Sequence, residues 1–96
     1  MQVEFSHWVE GDLEAIADYI AQDNPTRAIS FLRQIRKKIE RIGAQPLIYQ
    51  LRPDIGDEAR LAVVGRYVIL FRVLGGRARI ERVVWGGRDL PEPLSD

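Results

Sequence analysis

The sequence predicts an α+β fold, in which a short N-terminal strand precedes an antiparallel helical hairpin packed on a three- to four-stranded antiparallel sheet. Apolar residues recur at helical spacing in two stretches of the first half of the chain, which indicates two amphipathic helices. In the second half, three stretches alternate with period two between glycine-containing turns, which indicates a β-meander. Elements segregated along the chain in this way are typical of an α+β architecture.

Length and composition restrict the class of protein. The 96 residues suffice for a single domain, residues 1–96. The absence of cysteine excludes disulfide scaffolds, thiolate metal sites and cysteine nucleophiles. The longest apolar runs, residues 61–64 and 68–71, are far shorter than the ~20 residues of a membrane span, and no basic-then-apolar leader opens the chain. We therefore expect a cytoplasmic protein with no membrane association.

The first two elements are a strand and a helix. Residues 2–6 alternate Val3 and Phe5 with polar residues and predict a short strand, and Ser6 is a suitable cap for the helix that follows. Residues 8–22 predict an amphipathic helix with acidic residues opposite its apolar side. The apolar positions of this helix are Val9, Leu13, Ile16, Ala17 and Ile20.

A short break separates this helix from a second one that runs to about Ile42. Asn24 is a favourable N-cap, and Pro25 stands at the first helical position, where its missing N–H costs nothing. Gly43 is predicted to end the helix as its C-cap. The apolar seam of the second helix comprises Ala28, Leu32, Ile35, Ile39 and Ile42. Because the break is so short, the two helices are predicted to form an antiparallel hairpin.

A long connection, residues 44–58, leads to three predicted strands at residues 59–64, 66–74 and 77–85. A two-residue turn at Gly75 and Gly76 would place Arg72 opposite Arg79, Phe71 opposite Ile80 and Tyr67 opposite Val84. The side chains predicted to face the helices are Tyr67, Ile69, Phe71, Val73, Ala78, Ile80 and Val84. Residues 89–96, which contain two prolines, are expected to form a flexible tail.

The net charge of zero conceals a strong asymmetry along the chain. Residues 1–25 contain six acidic and no basic residues, whereas residues 26–52 and 59–88 each contain seven basic residues against one acidic residue. One interpretation is that the acidic helix neutralises the basic one within the fold. Glu81 is the one acidic residue of the three predicted strands between residues 59 and 85, so for this part of the sheet we prefer a binding surface for an acidic partner.

The chain offers little catalytic chemistry. His7 is the only histidine and has no second metal-type ligand at a recognisable spacing, and the serines lack a nearby base. No glycine-rich loop that would hold a phosphate precedes a helix. Metal-free RNA cleavage would need an acid–base pair, but arginine stays protonated and Tyr67 is predicted to lie on the core face. We therefore expect a protein that is not an enzyme and needs no metal or cofactor.

The order of these elements and several segments resemble the ParE/RelE toxin superfamily, and most closely its ParE-like branch. The segments are DLEAIADYI at residues 12–20, DNPTRA at 23–28, Arg60, GRYVILFRV at 65–73 and GGRD at 86–89. The resemblance implies the toxin of a bacterial type II toxin–antitoxin system, neutralised by a small cognate antitoxin. ParE-type toxins inhibit DNA gyrase, whereas RelE-type toxins cut mRNA on the ribosome.

The resemblance also implies candidate site residues. Those expected to bind the target are Arg60, Trp85, Arg88 and Asp89. Charge complementarity, rather than the resemblance, predicts the residues that bind an acidic antitoxin, which are Arg33, Arg36, Lys37, Arg41 and Arg72. No direct, specific nucleic-acid binding is expected.

Two departures weaken the alternative of a ribosome-dependent endoribonuclease that uses Arg60, Arg72, Arg82 and Arg88 on the phosphate. Val68 stands in the place of a nuclease arginine, and the basic C-terminal segment of the nucleases is absent. A further alternative is a degenerate toxin that retains only antitoxin binding.

Overall fold

The computed structural model describes residues 1–87. In chain order its elements are β1 (Gln2–Phe5), α1 (Val9–Ala21), α2 (Pro25–Ala44), a 3-10 turn (Pro46–Ile48), β2 (Gln50–Leu51), β3 (Ala59–Val64), β4 (Tyr67–Leu74) and β5 (Arg77–Trp85). The predicted α+β class is confirmed, and both helices and all three meander strands lie where the sequence predicts them. The predicted tail at residues 89–96 lies outside the described residues.

The helical hairpin agrees with the prediction at its turn, but α2 ends later than predicted. The Asn24 side chain accepts a hydrogen bond of 3.0 Å from the Arg27 backbone N–H and so caps α2, which opens on Pro25. The prediction of Gly43 as C-cap is wrong, because α2 continues through it to Ala44. A Cβ atom at Gly43 would lie 2.7 Å from Cγ2 of Val3, so this glycine lets β1 pass close to the helix.

The sheet contains five strands in the order β1-β5-β4-β3-β2, more than the three to four predicted. The N-terminal strand joins it by pairing parallel to the last one, with Gln2 beside Arg77 and Phe5 beside Ile80. The predicted connection at residues 44–58 contributes the short strand β2, antiparallel to β3. The sheet is therefore mixed, because β1 and β5 pair parallel while the other strand pairs described are antiparallel. The parallel pair joins the two ends of the described chain.

A β-bulge interrupts the β4–β5 ladder. Arg72 pairs with Arg79 and Phe71 with Ile80, as predicted, but the register shifts between Leu70 and Phe71. Tyr67 consequently pairs with Trp85, and the prediction that it lies opposite Val84 is wrong. An extra residue in one strand reverses the inward and outward sides beyond it, so Val83 rather than Val84 enters the core.

The main core lies between the two helices and one face of the sheet. Its buried members are Val9, Ile16, Phe31, Ile35, Ile39, Ile42, Ala62, Val64, Ile69, Phe71, Ala78, Ile80 and Val83. A small second cluster, Ala59 and Leu70 with Ile55 and Leu61, forms where the connection before β3 folds back. Within residues 1–87, no helix has the length and hydropathy needed to cross a membrane.

Candidate functional site

Three cavities meet at the end of the sheet where β5 stops, and all three are lined by Tyr67 and Trp85. The largest has a volume of about 680 Å³ and lies between the turn of the helical hairpin and the β3–β4 turn. It is lined by Tyr19, Ile20, Arg27, Phe31, Gly65, Arg66, Tyr67 and Trp85. The indole of Trp85 is 45% exposed, so this end of the molecule presents a large aromatic surface to a partner.

Two glycines fix the position of the Trp85 indole. A Cβ atom on Gly87 would lie 2.5 Å from the six-membered ring of Trp85, because this ring covers the Gly87 backbone. Gly86 donates its N–H to the Arg66 carbonyl oxygen at 2.9 Å, and a Cβ there would lie 2.9 Å from Val68. The glycine pair of the GGRD segment therefore serves close packing around Trp85.

The largest cavity combines aromatic walls with two arginines. The Arg27 guanidinium lies 5.1 Å from the ring centroid of Phe31 and also donates hydrogen bonds to Ser30 and Gln34. Within the described part of the chain, neither Arg27 nor Arg66 forms an ion pair. Both cations therefore remain available to an anionic group of a partner.

Tyr67, one of the two tyrosines that line this cavity, is a poor acid–base catalyst near neutral pH. Burial raises the pKa of Tyr67 above its ordinary value of 10.0, so the phenol stays protonated near neutral pH. Among residues 1–87, no three His, Asp or Glu side chains come together in a way that would hold a metal ion.

The arginines on the other face of the sheet are occupied by acidic residues of the same chain. Glu81 is only 6% exposed and accepts hydrogen bonds from Arg72 Nε at 2.9 Å and from Arg79 Nε at 3.2 Å. Arg77 pairs with Glu4 on the neighbouring strand β1 at 3.3 Å. Arg72, Arg77 and Arg79 are therefore paired within the fold, where the three cations share two carboxylates.

One acidic residue of α1 pairs with β5, and within residues 1–87 no ion pair joins α1 to α2. Asp12 accepts hydrogen bonds of 2.8 Å from both Nε and Nη2 of Arg82 and one of 3.0 Å from the Val83 backbone N–H. The Arg82 guanidinium also lies 4.9 Å from the ring centroid of Trp8. The hydrogen bond to Asp12 raises the pKa of Arg82 above its ordinary value. Sequence reasoning missed this clamp, which holds α1 on the strand that ends in Trp85.

The predicted target-binding residues do not all come together. Arg60 pairs with Phe71 and Trp85 with Tyr67, four positions apart along β4, which corresponds to ~14 Å. Arg60 donates through Nη1 to the carbonyl oxygens of Tyr49 at 2.6 Å and Leu47 at 3.4 Å, so it fastens the connection before β2. Arg88 and Asp89 lie outside the described residues.

The predicted antitoxin-binding cations divide into two places. Arg33, Lys37 and Arg41 follow one another at four-residue intervals on the exposed side of α2, and Arg36 is exposed as well. In the portion of the chain described, none of these four forms an ion pair. Arg72 stands apart from them on the sheet, paired with Glu81 at 2.8 Å.

The family model described as "ParE toxin of type II toxin-antitoxin system, parDE" matches residues 3–90, nearly the whole chain. This chain belongs to the ParE toxin family. A solved structure titled "Chromosomal ParDE TA system from P. aeruginosa" is similar to this ParE family member with a TM-score of 0.76 at 22% identity. The match covers 88% of this chain and 95% of the other, and it supports the shared fold. No curated protein matches in sequence.

Proposed function

We propose that this ParE family member inhibits DNA gyrase by contact and is neutralised by a cognate antitoxin. The observation that carries the proposal is the convergence of three cavities on Trp85 and Tyr67, next to arginines without carboxylate partners among residues 1–87. Such a surface suits a protein partner that offers an apolar anchor and acidic neighbours. Family membership supports the assignment to a toxin–antitoxin system.

The target surface is proposed to centre on Trp85 and to continue into Arg88 and Asp89, which follow it in the sequence. Arg66 and Arg27 join this surface, because they line the same cavity. Exposed, rigidly packed tryptophans are frequent anchors of protein interfaces. Arg60 is reassigned to holding the Leu47–Tyr49 segment, since both of its hydrogen bonds go to that backbone.

A supercoiling assay tests the target. Purified toxin, freed of antitoxin, is added to gyrase, relaxed plasmid and ATP, and the loss of supercoiling and the appearance of linear DNA are followed. We expect Trp85→Ala and Arg88→Ala each to lower inhibitory potency at least tenfold. Ile29→Ala is the control, because Ile29 is an exposed apolar residue that lines none of the three cavities.

Two outcomes contradict different parts of the proposal. Full potency in both Trp85→Ala and Arg88→Ala would remove the assigned surface while leaving gyrase as the target. Gyrase undisturbed by the wild-type toxin would remove the target itself. A translating extract would then show whether the chain cleaves mRNA on the ribosome or is inactive.

The antitoxin is proposed to be acidic where it meets the four α2 cations, with Arg72 as a secondary contact. Binding of the wild type should weaken as salt is raised, because exposed charges are screened. A triple reversal, Arg33→Glu with Lys37→Glu and Arg41→Glu, should weaken the complex at least tenfold and reduce its salt dependence. Arg77→Glu serves as the control outside α2. Unchanged affinity in the triple variant would show that electrostatics does not direct this pairing.

The alternative of a ribosome-dependent nuclease draws less support from the geometry. Two of the arginines that it would use on the phosphate are already engaged, Arg72 by Glu81 and Arg82 by Asp12. Freeing Arg82 for RNA would leave the largely buried Asp12 without its cation, which is costly, whereas Glu81 would keep Arg79 if Arg72 were freed.

A further inference from the structure

Three exposed apolar side chains surround the short strand β2. Leu47 is 63% exposed, Ile48 69% and Leu51 47%, and we call these three residues the apolar ledge. All three lie within five consecutive positions of the chain, Leu47 and Ile48 on the 3-10 turn and Leu51 on β2. Contiguous exposed apolar patches on a small protein commonly mark an interaction site.

The ledge is held rigidly against the core. Arg60 Nη1 donates to the carbonyl oxygens of Leu47 and Tyr49. The Tyr49 ring meets Phe71 edge to face, with ring centroids 5.7 Å apart. The Ile48 N–H donates to the Gln45 carbonyl oxygen at 3.4 Å. A preformed surface loses little conformational entropy when a partner binds, which favours affinity.

Cations border the ledge on the side of α2. Lys38 Nζ lies 5.9 Å from the ring centroid of Tyr49, which places this flank of α2 directly beside the ledge. Arg41 follows Lys38 by three positions and Lys37 by four, so the three cations share one flank. None of them forms an ion pair with a residue at positions 1–87. Like charges at this spacing destabilise a helix by ~0.2–0.5 kcal/mol per pair, a cost that an acidic partner would remove.

We infer that the apolar ledge and the cationic flank of α2 form one docking surface for an acidic, amphipathic segment of the antitoxin. Apolar side chains of this segment cover Leu47, Ile48 and Leu51, and its carboxylates pair with Lys37, Lys38 and Arg41. The inference rests on the proposed antitoxin partner and adds its point of attachment. A second copy of this chain is a poorer occupant, because two cationic flanks would then face each other.

The sheet edge beside the ledge offers the segment backbone partners too. β2 is the last strand in the described sheet order, so its outer side faces no strand there. An extended segment can pair with such an edge while its alternate side chains reach the ledge. Gln50 and Leu51 supply this short edge.

Hydrogen exchange tests the inference on the toxin with and without its cognate antitoxin. We expect amides of residues 37–41 and 46–51 to be protected in the complex. The variant Leu47→Ser with Ile48→Ser should weaken binding at least tenfold while gyrase inhibition by the free toxin stays unchanged. Both residues are exposed, so the variant keeps its fold. Ile29→Ser, an exposed apolar residue elsewhere on α2, is the matched control and should bind normally.

The outcomes separate the inference from the function on which it rests. A complex that leaves residues 46–51 unprotected, with normal affinity in the double variant, would overturn the inference and leave the antitoxin in place. Protection of the ledge in toxin alone, together with a dimeric mass, would assign it to a second copy and also overturn the inference. Failure of the two proteins to form any complex would remove both.

Discussion

The clamp between Asp12 and Arg82 gives the sharpest test of how the helices are fixed to the sheet. Replacing Asp12 by alanine removes the acceptor of two hydrogen bonds from the Arg82 guanidinium and of one from the Val83 N–H. The side chains of Arg82 and Asp12 are only 20% and 11% exposed, so water replaces the carboxylate incompletely. The substitution therefore leaves a partly buried cation and a backbone donor without their partner.

The expected cost follows from these two losses. Removing one partner of a fully buried ion pair costs ~3–5 kcal/mol, a figure reduced here because part of each side chain reaches water. An unsatisfied backbone N–H adds ~1–3 kcal/mol, again less where solvent reaches it. We expect Asp12→Ala to lower the free energy of unfolding by ~2–4 kcal/mol. Asp12→Asn should cost less, because the amide oxygen still accepts one hydrogen bond.

Urea denaturation measures this prediction, with Glu14→Ala as the control. Glu14 is exposed on the same helix and forms no ion pair within residues 1–87, so its loss should change stability by less than ~0.5 kcal/mol. A double-mutant cycle with Arg82→Ala isolates the pairwise energy. An Asp12→Ala variant as stable as Glu14→Ala would refute the clamp, and with it the account of how β5 is held.

Further predictions concern four single positions. Gly43→Ala should destabilise by ~1–3 kcal/mol in urea denaturation, because its Cβ meets Val3. Gly11→Ala, with open space around it, should instead stabilise by up to ~1 kcal/mol, and the reverse order would contradict the packing argument. Asn24→Ala should cost ~1 kcal/mol through loss of the α2 cap, measured in the same way. The free energy of unfolding should fall above about pH 10, because tyrosine ionises there in the unfolded chain while the raised pKa of Tyr67 keeps it protonated in the fold. A pH series on Tyr67→Phe should lack this part of the fall.

Local chemistry predicts most of the elements, and the exceptions arise from contacts distant in sequence. Asn24 and Pro25 carry their own helix-start chemistry, so the hairpin turn could be placed from the sequence. Glycine is typical of helix ends, yet the role of Gly43 is set by its contact with β1, about forty residues away in sequence. The bulge beside Phe71 has no local signature either, because it shows only when two strands are aligned.

The candidate site was predictable in part for the same reason. Trp85 could be proposed from its place in the sequence, and it proves to line all three cavities. Counting charges along the strands suggested free arginines, but a count does not show that Glu81 serves two of them at once. Nor does it show that Asp12 reaches Arg82 across seventy residues. The pairing of charges depends on tertiary structure, which the periodicity of the sequence alone does not specify.

The parallel pairing of β1 with β5 has a consequence for how the molecule is made. Gln2 lies beside Arg77, 75 positions later, so the first strand emerges from synthesis long before its partner exists. At ~5–20 residues per second this interval lasts roughly 4–15 seconds. Pairing of two strands so distant in sequence also slows folding, because a long loop loses conformational entropy when it closes. The same strand ends in Trp85, so the sheet and the proposed target surface are completed together, once β5 has been synthesised.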